Sequence, residues 1–592
     1  MQTIDTDVLV VGAGPAGLTA SALLARDGVN ALTVTKYPGT AHSPRAHITN
    51  QRTMEVFRDL GMEDAVRAVA TPNELMGNNV WSTSFAAPEL ARLSTWGTAV
   101  ERVSDYAAAS PSRMCNIPQH LLEPVILDRA LALDADIRFS TELISIGQDE
   151  HGVRAVVRHR HTGEQTAVRA RYAIGADGGR STVAEQLGFG FEGETGLGAA
   201  ANVWLEADLT RYCAHRPGTL YWMCRPGNDY WVGSGTWICV KPWTEWVLLF
   251  MYDPAEEPDL SEHAVRERAR TTIGDPGVDV RIKAVSTWQI NHVVATRFRQ
   301  GRVFLAGDAA HRHPPANGLG TNTSIQDSFN LCWKLAAVLR GDAGEELLDS
   351  YDAERRPVGK QVVDRAMKSV ADMAPITSAF GFRPGQTPEE GWAALDGLTA
   401  PTEEGRRRRQ ELAAAVELQN YQFNCHGVEL GQRYESCAVA DDGTAWPVPA
   451  RDPELYYQPT SHPGARLPHA WLERGDQPLS TLDLCGGGRF TLLTGNGGEP
   501  WCAAADELAA ELGLAIDTRT IGLGCTYRDV YGDWARLRGT AEAGALLVRP
   551  DGHVAWRHRE LVADPREALR DALGAVLRRD TAALPDLTTT GG

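Results

Sequence analysis

The sequence predicts an α/β protein. A Rossmann-like dinucleotide-binding domain carries an inserted β-sheet domain and is followed by a separate C-terminal α/β domain. Three observations predict this. The chain begins with a buried-strand pattern, DVLVV, that runs into GAGPAG and then into a helical pattern. Two strands far downstream also finish in glycine turns holding a carboxylate, Asp177-Gly178 and Gly307-Asp308. Between them, residues from about 195 to 295 are rich in β-branched and aromatic side chains, the composition of a sheet.

Asp7 to Val11 is continuously apolar, as a strand buried on both faces requires. Gly12-Ala13-Gly14-Pro15-Ala16-Gly17 follows as a G-x-G-x-x-G, Leu18 to Arg26 as a helix, Gly28 as its stop, and Ala31 to Thr35 as a second strand. In such a unit Gly12 makes the tight turn, Gly14 admits a pyrophosphate and Gly17 lets helix pack on strand. The phosphates sit on the free amides of the helix start. An acid about 20 residues on normally binds a ribose. Here the strand end is Thr33-Val34-Thr35-Lys36, which leaves Thr35 and Lys36 as the candidate groups.

Tyr172 to Ala176 and Val303 to Ala306 read as two further strands of the same sheet. Ligands of open α/β sheets bind beyond the carboxyl ends of strands, where Asp177 and Asp308 would accept hydrogen bonds from sugar or ribityl hydroxyls. Gly307 to Asp327 then connects strand to a helix expected at Ser324 to Arg340. Gly318 and Gly320 leave room for a ring, and Thr321 and Asn322 precede the helix start. Pro314-Pro315 stiffens the wall and shows a carbonyl without an amide donor.

The sheet segment holds Trp204, Trp222, Tyr230, Trp231, Trp237, Trp243, Trp246 and Trp288, of which Trp222, Trp231 and Trp237 are taken as substrate-pocket residues. Leu347 to Val370 is expected as helix, Pro375 to Pro401 as linker, and Glu403 to Leu418 as a charged helix with Arg406 to Arg409 on a solvated face. Beyond residue 450, strand and turn patterns at Leu467 to His469, Ser480 to Leu484 and Phe490 to Leu493, a helix at Ala503 to Leu512, and a hairpin around Asp551-Gly552 complete an α/β unit.

The chain has 592 residues, a net charge of −18 and 43% hydrophobic residues. That charge argues against nucleic-acid partners and anionic membrane surfaces. No apolar run reaches the roughly 18 residues of a membrane helix. Asp5 and Asp7 stand where a secretory signal carries basic residues, and the ten cysteines form no C-x-x-C, so a cytoplasmic protein with reduced thiols is expected. No metal spacing is found.

With these motifs in hand, the sequence resembles the p-hydroxybenzoate hydroxylase-like, single-component FAD-dependent aromatic hydroxylases. Gly12–Gly17, Asp177-Gly178 and Gly307-Asp308 match their three fingerprints, and Ser43-Pro44-Arg45-Ala46-His47 is closest to the chlorophenol hydroxylase branch. The resemblance implies an FAD-binding domain over residues 1–75, 112–190 and 296–375, and a substrate-binding sheet over 76–111 and 191–295. Residues 376–450 would be linker and helices, and 451–592 a thioredoxin-like domain without C-x-x-C. It places Arg45 near the FAD pyrophosphate, Gln119 and Asp308 on the ribityl chain, Asp177 at FAD and nicotinamide, and Pro315 beside the substrate ring.

The implied reaction is hydroxylation of a phenolic or hydroxy-heteroaromatic ring, ortho to its hydroxyl, with NADPH or NADH, O2 and a flavin C4a-hydroperoxide. The implied partners are a small aromatic substrate and O2, in a homo-oligomer. Related phenol hydroxylases carry an aspartate where this chain has His47, and an imidazole with an ordinary pKa of about 6.5 suits proton removal near neutral pH. His313 is a rival, His311 is expected to be structural, and His292 and Asp105 are weaker candidates. Epoxidation, Baeyer–Villiger insertion, simple reduction and a non-catalytic flavin protein stand as alternatives. The sequence lacks the W-x-W-x-I-P of a flavin halogenase.

Overall fold

The computed structural model describes residues 2–227, 234–255 and 258–579, so Tyr230 and Trp231 lie outside the described residues. The central strand of the first sheet, Gln2–Val11, pairs in parallel with Gln165–Gly175 on one side and Ala31–Val34 on the other. Val303–Leu305 adds in parallel beyond the former and Asp136–Arg138 beyond the latter. Val8, Leu9 and Val10 are fully buried because the sheet is covered on both faces. The register sets Val11 beside Gly175 and Gly175 beside Leu305. Three turns distant in sequence therefore open at one edge of one sheet.

The second sheet has eight strands. Its long pair, Phe191–Glu206 and Arg281–Ala295, is followed by Glu245–Tyr252, Thr236–Lys241, Leu220–Met223, Asn78–Ser82 and Glu89–Ser94. His311–Arg312, from the Gly307–Asp327 connection, closes the opposite edge against Val293 and Val294. The segment read as pure sheet also contains a helix, Glu262–Ile273, capped by Ser261 and stopped by Gly274 in the left-handed region. Its Val265, Ala269 and Ile273 bury against one sheet face together with Trp237, Trp246 and Phe250. The other face is left to line a cavity.

Residues 375–401 are not a linker. They form helices Ala374–Ala379 and Pro388–Thr399, the second started by a Thr387–Glu390 capping box. The arginine run of helix Glu403–Leu418 supplies the reason. Arg408 donates to Ala379 O at 3.2 Å and to Ala394 O at 2.8 Å, and Arg409 donates to Leu398 O at 2.7 Å, which satisfies carbonyls at the ends of both helices.

The C-terminal sheet orders Ile516–Thr520, Phe490–Thr494, Ala545–Val548 and Val554–His558, with helices Glu499–Leu512 and Pro565–Leu577 packed together on it. Leu467 to His469 is not a strand; the hairpin there is Trp471–Arg474 with Gln477–Ser480. All ten cysteines are free, and Cys485, Cys502 and Cys525 are partly exposed. No helix among the described residues is long and apolar enough to cross a membrane.

Candidate active site

The three turns converge on one cavity of about 1740 Å³. Gly12 has φ +110°, and a Cβ there would lie 2.1 Å from Ala176 O. A Cβ at Gly17 would lie 1.9 Å from Gly12 O, so Gly17 serves helix packing and does not line the cavity. The helix starts at Pro15 with Gly14 as N-cap and no side-chain cap, which leaves its first amides free for an anion. Gly14, Pro15 and Ala16 line the cavity, as do buried Thr35 and, at the rim, exposed Lys36 and Arg45.

Gln119 also lines the cavity, and its Nε2 donates to Glu123 Oε1 at 2.6 Å. Glu123 accepts from Ala41 N at 2.5 Å as well, and burial pushes its carboxyl up. Sequence reasoning missed Glu123, although its i,i+4 spacing from Gln119 on one helix was the available signal.

The two fingerprint acids differ. Asp177 Oδ1 accepts from Ser181 Oγ at 2.5 Å and Oδ2 accepts from Val183 N at 3.2 Å, so much of its capacity serves its own turn. Asp308 lines the cavity and accepts no hydrogen bond from the described residues. Desolvation by the cavity walls raises its pKa, opposed by His311, Arg312 and Arg45. Its carboxylate is exposed to the cavity, free to accept from a hydroxyl-bearing ligand seated there. Asp308→Ala is therefore expected to weaken FAD binding about 10- to 100-fold, the worth of a charge-assisted hydrogen bond of ~1.5–3 kcal/mol. Fluorescence titration of the apoprotein with FAD checks this, and an unchanged Kd contradicts it.

The turn carrying Asp308 is held from behind. Asp327 Oδ2 accepts from Gly307 N at 3.0 Å and pairs with His311 Nε2 at 2.8 Å, and Arg355 Nε donates to Asp327 Oδ1 at 2.8 Å. The following helix begins at Gly320, four residues before the expected Ser324, again without a side-chain cap. Thr321 thus sits in its first turn, lining the cavity with Pro315, Gly318 and Gly320. Gly318 has φ +66°, and a Cβ there would meet Ile48 at 3.0 Å.

Asn322 is a correction. It does not line the cavity; its Nδ2 donates to Ile48 O at 2.9 Å and Gly318 O at 2.7 Å, and its Oδ1 accepts from Asn50 N at 2.9 Å. The helix starting earlier turns this side chain inward, where it braces the wall.

On the substrate side, Trp222 lines the cavity and stacks at 6.5 Å on Trp81. Trp237 is the second correction. Trp222 pairs directly with Thr236 across antiparallel strands, so Thr236 shares its face and Trp237 takes the opposite one. The Trp237 indole donates to Thr272 Oγ1 at 3.0 Å beneath the Glu262–Ile273 helix. Trp231 lies outside the described residues.

His47 and His313 both line the cavity. His47 Nδ1 is 2.8 Å from Asn116 Oδ1, and His313 Nδ1 donates to Pro314 O at 2.6 Å. Desolvation lowers each to about 4, against a weaker opposing hydrogen bond. Both are therefore neutral at pH 7. His311 holds Asp327 through Nε2 and does not line the cavity, while His292 pairs with Asp364 at 3.0 Å and Asp105 with Arg451 at 3.0 Å, both also away from the cavity.

These features fit FAD. The cradle at Gly12 excludes a side chain, two helix starts offer free amides, the Asp308 carboxylate accepts no hydrogen bond from the described residues, and the volume exceeds the ~300–1,000 Å³ of most small-molecule sites.

Comparison with known proteins agrees. A family described as FAD binding domain matches residues 5–366, and one described as aromatic-ring hydroxylase, C-terminal, matches residues 460–579. The chain is 49% identical to 2,4-dichlorophenol 6-monooxygenase of Delftia acidovorans, over 97% of this chain and 98% of that protein. It is 44% identical to phenol 2-monooxygenase of Pseudomonas sp. (strain EST1001), over 97% and 93%. The crystal structure of the flavin-dependent monooxygenase PieE, in complex with FAD and substrate, superposes with TM-score 0.94 at 51% identity, over 98% of this chain and 100% of that one.

Proposed function

The chain belongs to the FAD-dependent aromatic-ring hydroxylases, and from that premise we propose that it hydroxylates a phenolic or hydroxy-heteroaromatic ring ortho to an existing hydroxyl, using NAD(P)H and O2. The observation that carries this reading is one continuous cavity. Gly12, Asp308 and the Gly320 helix start bound one part, and Trp222, Thr236 and Ile238 of the substrate sheet bound another. His47 and Pro315 line the same space.

When bound, FAD would carry reducing equivalents from NAD(P)H to O2, which provides the oxygen atom transferred to the ring and a second one that leaves as water. The chain's own residues do the rest. Free amides at Gly14 and the hydroxyl-binding Asp308 hold the dinucleotide. The uncapped Gly320 helix start offers positive potential where negative charge collects on the reduced ring. Trp222 and the aliphatic residues of its sheet face exclude water from the reacting centre.

Neutral His47 accepts a hydrogen bond from the ring hydroxyl and draws its proton as the ring attacks, which makes the ring more electron-rich. With a folded value of about 4, it acts as an acceptor that polarises the O–H, not as a strong base in the free protein.

The test is direct. The purified protein is expected to be yellow and to consume NADPH faster when a phenol or pyridinol is added, with a product one oxygen atom heavier. NADPH consumption that gives only hydrogen peroxide with every phenol offered counts against the reading.

A further inference from the structure

The geometry points to Asn116 as a positioning residue: we propose that it fixes His47 as the Nδ1–H tautomer, so that Nε2 presents its lone pair to the substrate hydroxyl. This rests on the proposed role of His47 and assigns the residue that makes that role possible.

One acceptor of fixed polarity orients the Asn116 amide. Cys239 O is a backbone carbonyl and can only accept. Asn116 lies 3.0 Å from it, so the atom facing Cys239 must be the amide nitrogen Nδ2. The amide oxygen Oδ1 is then the atom that faces His47 Nδ1 at 2.8 Å. An amide oxygen accepts, so His47 Nδ1 carries the proton and Nε2 is bare. The flipped amide would set carbonyl against carbonyl at Cys239, which excludes it.

The arrangement is rigid. Asn116 is 1% exposed, and its strand pairs with that of His47 through Ile48 and through Ile117 N donating to His47 O at 2.7 Å. His47 makes no hydrogen bond through Nε2 to the described residues and lines the cavity.

The titratable groups on the surrounding elements are Arg45 on its own segment, Cys115 beside Asn116, and Cys239. Burial pushes the Cys115 thiol to about 12 and the Cys239 thiol well above its usual range, so both stay protonated. Desolvation and the Asn116 hydrogen bond alone act on His47.

In the step this serves, the substrate hydroxyl donates to Nε2 and its proton shifts toward that nitrogen as the ring attacks, so negative charge builds on the ring oxygen and positive charge on the imidazole. Asn116 Oδ1 accepts from Nδ1–H before and after, so the cation gains support without rearrangement. Cys239 lies between Ile238 and Val240, which line the cavity, so the acceptor's aim is tied to the wall against which the substrate rests.

Two measurements test this. Ring-15N-histidine NMR of the FAD-bound wild-type enzyme, with the His47 signal assigned by its loss in His47→Ala, is expected to show the Nδ1–H tautomer. An Nε2–H tautomer overturns the proposal and needs no folded Asn116 variant. In Asn116→Asp, a carboxylate beside Nδ1–H is expected to move the acid limb of kcat up by about 1–2 pH units, because an opposite charge within ~4–6 Å favours the imidazolium. Asn116→Ala is expected to lower kcat about tenfold with FAD affinity unchanged. Coincident pH profiles for Asn116→Asp and wild type overturn the proposal. If His47→Ala instead hydroxylates at the wild-type rate, the role of His47 itself falls, and the NMR result still decides whether Asn116 sets its tautomer.

Discussion

His47→Ala is expected to slow hydroxylation about 100-fold at pH 7 while FAD stays bound. A positioned proton acceptor contributes ~10²–10⁴-fold. The low end applies because desolvation has already reduced the proton affinity of the ring to about 4. The sign of the pH dependence follows from the same shift. His47 must be neutral to accept, and a lowered folded value keeps it neutral from its ordinary 6.5 down to about 4. Wild-type kcat therefore shows no histidine limb between these values and falls only below them. At high pH the substrate ionises by itself, since a phenol titrates near pH ~10, and the variant's deficit shrinks. Parallel pH profiles of kcat for the two proteins check both statements; a deficit that is constant with pH removes the proton-accepting role.

The second large effect lies away from the cavity. Arg549→Leu is expected to destabilise the protein by about 3–5 kcal/mol, the cost of breaking one partner out of a buried ion pair. Glu354 accepts from Arg549 at 2.6 and 2.9 Å, from Lys334 at 2.7 Å and from Asn330 at 2.6 Å, all fully buried. Arg549 also pairs with Asp551, whose backbone oxygen accepts from Arg52 at 2.6 Å.

This cluster joins the C-terminal hairpin to helices Asp349–Ala371 and Gly320–Arg340, the second of which opens on the cavity. Arg549 and Lys334 hold the Glu354 carboxyl well below the usual carboxylate range despite its burial. Its contribution is thus present above the ordinary value of 4.5 and is lost as pH falls below it. Thermal unfolding of Arg549→Leu, and of the double variant with Glu354→Gln, measures this. The double variant is expected to recover part of the loss because it removes the uncompensated buried charge. A single variant as stable as wild type refutes the expectation.

Much of the frame was legible because it depends on local rules. A continuous apolar strand, a glycine that alone tolerates φ +110°, and an uncapped helix start are each written in a few neighbouring residues, as Gly12, Gly14 and Pro15 show. Residues 375–401 were misread because their glycines and prolines hid two short helices, whose terminal carbonyls are satisfied by Arg408 and Arg409 from another element. Glu123 went unnoticed because its role depends on Ala41, distant in sequence.

By itself the sequence determined that Gly12, Asp177 and Asp308 end strands of one α/β sheet, since strand period and glycine conformation are properties of the local chain. Only the tertiary structure decided which way Trp237 faces, that Asn322 braces rather than binds, and that His47 is neutral. A strand's facing is set by its register against Trp222, and a ring's proton affinity by how far the surrounding chain has removed it from water.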